Sequence, residues 1–478
     1  MSLFRTKSVE VILAESEDTT HHLKRTLGPV NLVALGIGAI IGAGLFSLTG
    51  IVAADNAGPA VVLSFVVAAV GCAFAGMCYS EFATMIPIAG SAYTYAYATM
   101  GELLAWIIGW DLVLEYAVGA ATVSVSWSSY VVRLLHRFSI DLPSNLTHCP
   151  WDIPAGWINL PAIFVIFGIS ILLMIGISES ARVNAVIVII KVTIVIIVIA
   201  IGFSYIKPEN YTPFIPPNTG KFGEFGFSGV MRAAAVIFFA YIGFDAVSTA
   251  AQEAKKPKRD MPIGIIGSLI ICTILYVLFA HVLTGMVSYR TFRGDAAPVE
   301  TVIKLFPNAW LQIAINVGIV AGFTSVILVM LLGQSRVFYS MSRDGLLPAI
   351  FSDVHPKWRT PWRCNLIFMV FVSLFSGFLP ISSLGNMTSI GTLLAFVIVS
   401  IAVMVMRRTH PDLPRPYRTP LVPLVPILAI LVCFAMMVSL DVLTWYRLVV
   451  WLAIGLAIYF GYSRYHSHLV KAEAGAKQ

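Results

Sequence analysis

Apolar runs of about 20 residues, the length that crosses a bilayer core as a helix, recur along this whole chain. That one feature restricts the fold severely. Lipid offers the backbone no hydrogen-bond partners, so only helices and closed barrels span it. These runs lack two-residue alternation and predict helices. Composition agrees: of 478 residues, 58% are hydrophobic and 12% charged, where a soluble domain carries about 25% charged. The chain reads as an all-α integral membrane protein with almost no room for a soluble domain. Its net charge of +7 is then no nucleic-acid footprint.

Twelve transmembrane helices are expected, near 30–53, 60–83, 100–131, 158–177, 184–206, 228–251, 262–287, 310–340, 364–380, 385–406, 421–441 and 445–463. The stretch TMIPIAGSAYTYAYAT (84–99) is too broken and hydroxyl-rich to span and reads as an interfacial connection. An even count puts residues 1–29 and the tail 464–478 on one side. That side carries 21 basic residues against 8 on the other, so the positive-inside rule places both termini in the cytoplasm of a multi-pass cell-membrane protein. The N-terminus lacks the apolar core and cleavage site of a secretory signal. His21–His22 has no partners at ligand spacing, and the six cysteines form neither a disulfide framework nor a zinc pattern. No metal or cofactor is expected.

Residues 36–46, GIGAIIGAGLF, set four glycines inside the first span. Each weakens a helix by about 1 kcal/mol relative to alanine. Close helix packing is one explanation, since Gly38 and Gly42 have small-xxx-small spacing. A deliberate interruption is the other. A second segment favours interruption: VIFFAYIGFDAV (236–247) places Gly243, Phe244 and the carboxylate Asp245 inside the sixth span. If spans 1–5 (30–206) pair with spans 6–10 (228–406), the two breaks fall at corresponding positions of two repeats, as in secondary transporters. Freed amides at a half-helix N-terminus attract a carboxylate. Freed carbonyls attract an ammonium. An α-amino acid carries both groups.

GIGAIIGAGLF resembles the first-helix motif of the amino acid–polyamine–organocation superfamily. The stretch 79–116 resembles that superfamily's second-to-third-helix signature. FFAYIGFDAVSTAAQEAKKPKRDMPIGI (238–265) and GQSRVFYSMSRDGLLP (333–348) are similar to the branch holding cationic amino acid transporters and their bacterial relatives. The resemblance covers about 27–463. It implies a five-plus-five inverted-repeat fold with two additional C-terminal helices (421–463). It assigns the substrate carboxylate to amides around Ile40, Ile41, Gly42, Ala43 and Gly44, and the ammonium to carbonyls around Phe239, Ala240 and Ile242. Some relatives have a hydroxyl residue where Ala43 stands, so one polar contact is missing here.

Charges inside spans need reasons, because each costs at least ~2.5 kcal/mol at a helix centre. Lys191 either snorkels to the interface or reaches inward to span-1 carbonyls and the span-8 hydroxyls Thr324 and Ser325. The resemblance favours the inward reading, with the lysine as a built-in replacement for a sodium ion and as the proton-coupling group. Glu115 either meets a substrate's distal cation or bonds internally, with Asp111 one turn before it. Asp245 either caps amides freed by the break or touches substrate. Phe239, Tyr241 and Phe244 either wall or gate the pocket or simply pack, and Glu81 and Glu102 fix the 84–99 connection. The run KKPKRD (255–260) reads as a solvated loop and 410–426 as a stiff linker.

No metal helix, nucleophile elbow, phosphate loop or channel filter is present, so neither an enzyme nor a channel is expected. The expected function is secondary active, proton-coupled uptake of cationic or small neutral L-amino acids by alternating access. The alternative is an amino acid exchanger. Amino acid, protons and membrane lipids are the expected partners, and the sequence leaves a small membrane subunit open.

Overall fold

The first apolar run does not form one helix. In the computed structural model, which describes residues 5–7, 27–86, 91–152, 154–176, 181–249, 251 and 254–470, Pro29 starts α1 (Pro29–Ile40). Its fixed φ suits a first helical turn. The chain leaves helical geometry at Ile41 (φ −72°, ψ 104°) and resumes a helical run over 44–57. Two parts of that run, Gly44–Leu48 and Ala53–Ala57, are wound as π-helix, a winding that is frequent at functional sites. We label the run α2. Gly58, at φ +60°, turns the chain into α3 (Val61–Met85). His21–His22 lies outside the described residues.

The remaining helices follow in order: α4 (Ser91–Thr99), α5 (Glu102–Arg137), α6 (Leu160–Ile175), α7 (Ala181–Gly202), α8 (Gly226–Ile237) and the short α9 (Ala246–Thr249). After them come α10 (Pro257–Met286), α11 (Pro298–Ile303), α12 (Ala309–Arg343), α13 (Trp362–Phe378), α14 (Ile381–Thr409), α15 (Leu424–Ser439) and α16 (Val442–Ile458). Local chemistry sets several ends. Asn159, Asn308 and Asp441 accept first-turn amides of α6, α12 and α16, satisfying donors a helix cannot satisfy itself. Gly176 ends α6 in the left-handed region.

Among the described residues, seven helical stretches are long and apolar enough to cross a membrane, and five apolar helices of 10–17 residues accompany them. The segment 84–99, read as a connection, contains the nine-residue α4. The centre is built from α1, α2, α8 and α9. Around it α10 packs on α1 and α3, α12 on α5 and α7, and α14 on α5, α8 and α15. The outer faces of α6, α7, α15 and α16 expose Phe164, Ile189, Leu431 and Val450. A water-soluble surface would not carry so continuous an apolar coat.

The two ends are tied differently. At one end, Arg137 pairs with the buried Glu300 of α11 at 2.7 Å, and Arg133 binds Asp295 and donates to the Ala297 carbonyl. At the other, Lys7 Nζ pairs with Asp344 at 2.8 Å, and Leu27 bridges to Ala254. Glu102 accepts from Tyr97 of α4, from Tyr459 and from Ser467. Among the described residues the Glu81 side chain bonds to none of the 84–99 connection, whose Thr84 hydroxyl meets only the Glu81 carbonyl. The carboxylate turns to Arg407, through two guanidinium bonds, and to the Thr419 amide.

Candidate functional site

The break in the first span is built at Ile41 and Gly42. Ile41 N still donates to Ile37 O (2.9 Å), and the next backbone donors across the gap are Leu45 and Phe46, both to Gly42 O (3.2 Å). Gly42, Ala43 and Gly44 stand at the start of α2, where amides have no partner within their own helix. The second break follows α8. One 3-10 turn, Phe238–Tyr241, leads to Ile242 (φ −60°, ψ 136°) and then Gly243 at φ +118°. That φ is open to glycine and costly for other residues. Helical geometry returns only at Ala246.

The two breaks touch each other. A Cβ added to Gly44 would lie 2.2 Å from Ala240 Cα, and one added to Gly243 would lie 2.8 Å from the Ala39 carbonyl carbon. These glycines let backbone meet backbone where α1, α2, α8 and α9 converge. Both predicted ligand sets are thereby brought together: Ile40, Ile41, Gly42, Ala43 and Gly44 on one chain segment, and Phe239, Ala240 and Ile242 on the other, all buried. Sequence reasoning missed the residue that bridges them. Tyr276 of α10 places its hydroxyl 2.9 Å from both the Ile40 and the Ala240 carbonyl oxygens. One hydroxyl donates one proton, so the two carbonyls share it and both keep acceptor capacity. A tyrosine in the apolar run IICTILYVLF carries no local sign of this role.

Lys191 is 1% exposed and does not snorkel. Its Nζ donates to the Gly38 carbonyl at 2.8 Å. The side chain runs against Gly322 of α12, where an added Cβ would meet Lys191 Cε at 2.9 Å. Lys191 thus links α1 to α12 through α7. Ser325 is buried on α12. Thr324, expected beside it as a partner, is committed elsewhere: it accepts from Trp127 Nε1 (3.0 Å) and donates to Val320 O (2.9 Å). The helical rotation between neighbouring positions turns it toward α5.

Three carboxyls gather on the α9 side. Asp111, Glu115 and Asp245 are each 1% exposed. Tyr116 donates to Asp245 Oδ2 at 2.6 Å, so one oxygen of the residue expected to cap the break ties it to α5. Glu115 lies beside Asp245 and Thr392. Neither its oxygens nor those of Asp111 reach full hydrogen-bond geometry with a described residue. Two of the aromatics are held in place: Tyr241 donates to Phe65 O (3.1 Å), and the Phe244 ring packs on Tyr79 and Phe396. Phe239 is buried beside them. Among the described residues no group of acidic, histidine and cysteine side chains is arranged to hold a metal ion.

A multi-pass helical bundle with two interrupted helices meeting at its centre has the architecture of a membrane transporter. The model of the family described as amino acid permease matches residues 27–459, and the chain belongs to that family, within the amino acid–polyamine–organocation superfamily. It is similar to a branched-chain amino acid permease of Bacillus subtilis (strain 168), 47% identical over 98% of this chain and 99% of that one. It is similar also to a methylthioribose transporter of the same organism, 44% identical over 98% of this chain and 100% of the other. A vacuolar cationic amino acid transporter of Arabidopsis thaliana is 36% identical over 86% of this chain and 68% of its own length. The protein is a transporter and not an enzyme.

Proposed function

We propose that the protein takes up L-amino acids by proton-coupled, secondary active transport, alternating access around the two breaks. The observation that carries the proposal is the contact of Gly44 with Ala240, which sets α2 amides and span-6 carbonyls at one place. There the amides of Gly42, Ala43 and Gly44 receive the carboxylate, and the carbonyls of Phe239, Ala240 and Ile242 receive the ammonium. Twelve spans in two inverted five-helix repeats plus two, with both termini in the cytoplasm, complete the reading. Moving one repeat against the other would open the junction to each side in turn.

Lys191 supplies the coupling in this reading. Burial disfavours the charged form of an amine, which lets a lysine serve as a proton-exchanging group. Its bond to Gly38 O ties protonation to the position of α1. The relatives named for branched-chain and for cationic amino acids bracket the substrate class, and Glu115 decides within it. A second reading has support from the methylthioribose transporter, a full-length relative. The test is uptake into proteoliposomes over a panel of neutral and cationic L-amino acids and methylthioribose, with and without an imposed proton gradient. Saturable amino acid uptake that rises with inward proton flow supports the proposal. Exchange that ignores the gradient identifies an antiporter, and uptake of the thiosugar alone overturns the amino acid reading.

A further inference from the structure

The linker between α14 and α15 is more highly built than a solvated loop requires. Arg415 donates to four carbonyls: Met406 (3.1 Å), His410 (2.7 Å), Pro411 (2.9 Å) and Leu413 (2.9 Å). Glu81 receives Arg407 through two bonds of 3.0 and 2.7 Å and the Thr419 amide at 2.8 Å, with Arg415 Nε 3.4 Å away. The chain is therefore held in one shape around one buried carboxylate. Four arginines, Arg407, Arg408, Arg415 and Arg418, lie within twelve residues here, and Asp412 is the only acidic residue between 407 and 420. Burial lowers the Arg415 pKa, and repulsion from Arg407 and Arg418 adds to this against the pull of Glu81. Arg408 and Arg418 are exposed and enter no hydrogen bond or ion pair among the described residues.

Three residues beyond Arg418 the surface changes character. Leu421, Leu424 and Leu431 are 73%, 51% and 56% exposed and lead down the outer face of α15. Arg418, which has no partner among the described residues, thus stands three residues before an exposed apolar track. We propose that this linker binds an anionic phospholipid, with Arg408 and Arg418 on the phosphate and the acyl chains along Leu421, Leu424 and Leu431. Guanidinium groups suit this role because their planar donors match phosphate oxygens in pairs. Charge complementarity favours lipid over a free anion, because only an amphiphile uses both halves of the surface.

Thermal melting of the full-length protein in neutral detergent tests this, with phosphatidylglycerol, phosphatidylcholine and inorganic phosphate added separately. Phosphatidylglycerol is expected to raise the melting temperature at the lowest concentration. In the double variant Arg408→Gln/Arg418→Gln its half-saturating concentration should rise about thirtyfold, since each basic group near an anionic surface contributes about a factor of five. Lys357→Gln, a basic control in another loop, should leave it unchanged. Equal responses of the double variant and the parent protein overturn the proposal. Inorganic phosphate matching phosphatidylglycerol shows a free-anion site, and phosphatidylcholine matching it shows no headgroup recognition; either overturns it. Should the double variant fail to fold, the comparison of the three ligands on the parent protein still decides.

Discussion

Lys191 Nζ donates to the Gly38 carbonyl oxygen at 2.8 Å, less than one turn before the first span breaks. This bond couples a titratable group on α7 directly to α1, the helix half that ends at the proposed carboxylate site. The amine is buried, so adding or removing its proton changes what holds α1. Lys191→Gln keeps a donor but loses the titration. A charged hydrogen bond contributes about 1.5–3 kcal/mol, so gradient-driven uptake should fall at least about tenfold. Counterflow exchange should survive better. Full gradient dependence in the variant, measured in proteoliposomes, would exclude Lys191 as the coupling group.

Gly44 and Gly42 should respond differently to the same change. Gly44→Ala drives a methyl into Ala240 Cα at 2.2 Å, a clash with backbone that cannot move aside cheaply. Overpacking of this kind costs about 1–3 kcal/mol, and here it separates the two breaks. Gly42→Ala meets the Val326 side chain, nearest at Cγ2, 3.3 Å away. Uptake by purified, folded protein should drop sharply for Gly44→Ala and modestly for Gly42→Ala. The reverse order would show that the breaks do not function as a contacting pair.

Tyr276→Phe removes a hydroxyl that reaches both breaks and leaves the ring's packing against Phe65 and Tyr241 intact. Loss of one such bond costs about 0.5–1.5 kcal/mol. The melting temperature should fall slightly. Substrate affinity, measured by titration calorimetry, should fall about threefold to tenfold, because the Ile40 and Ala240 carbonyls lose their fixed orientation. Unchanged affinity would make the hydroxyl a packing feature only.

Which parts of this site could be read from sequence follows from range. The glycines of GIGAIIGAGLF and Gly243 pointed to the breaks only as a pair of segments, because glycine inside an apolar helix also serves close packing, as Gly36 and Gly38 do against Ser268 and Val188. Lys191 and Glu115 stand out because ionisable groups are rare at membrane depth. Tyr276 was invisible, since its role arises only where α10 crosses both breaks 36 residues after Ala240 in the chain. The turn of Thr324 toward Trp127, and of Glu81 toward Arg407 and Thr419, likewise depend on partners far away in sequence. Helix composition alone did not show that the part of the first span after the break would be partly π-wound.

Glu115, buried beside Asp245, should set the preference between cationic and neutral substrates. Glu115→Gln keeps the shape and removes the carboxylate that would receive a distal cation. Competition assays should show arginine and lysine weakened by about tenfold relative to alanine, as for loss of a charged hydrogen bond worth about 1.5 kcal/mol. Equal weakening of all three would assign Glu115 to the internal framework.

The central claim is that backbone groups at two touching helix breaks hold both ends of a zwitterion. Binding of one transported L-amino acid, its decarboxylated amine and its deaminated acid to the purified protein tests it most directly, by calorimetry at a single pH. The account predicts measurable affinity for the amino acid and none for either truncated compound. Binding of the amine or the acid with the affinity of the parent compound would contradict it.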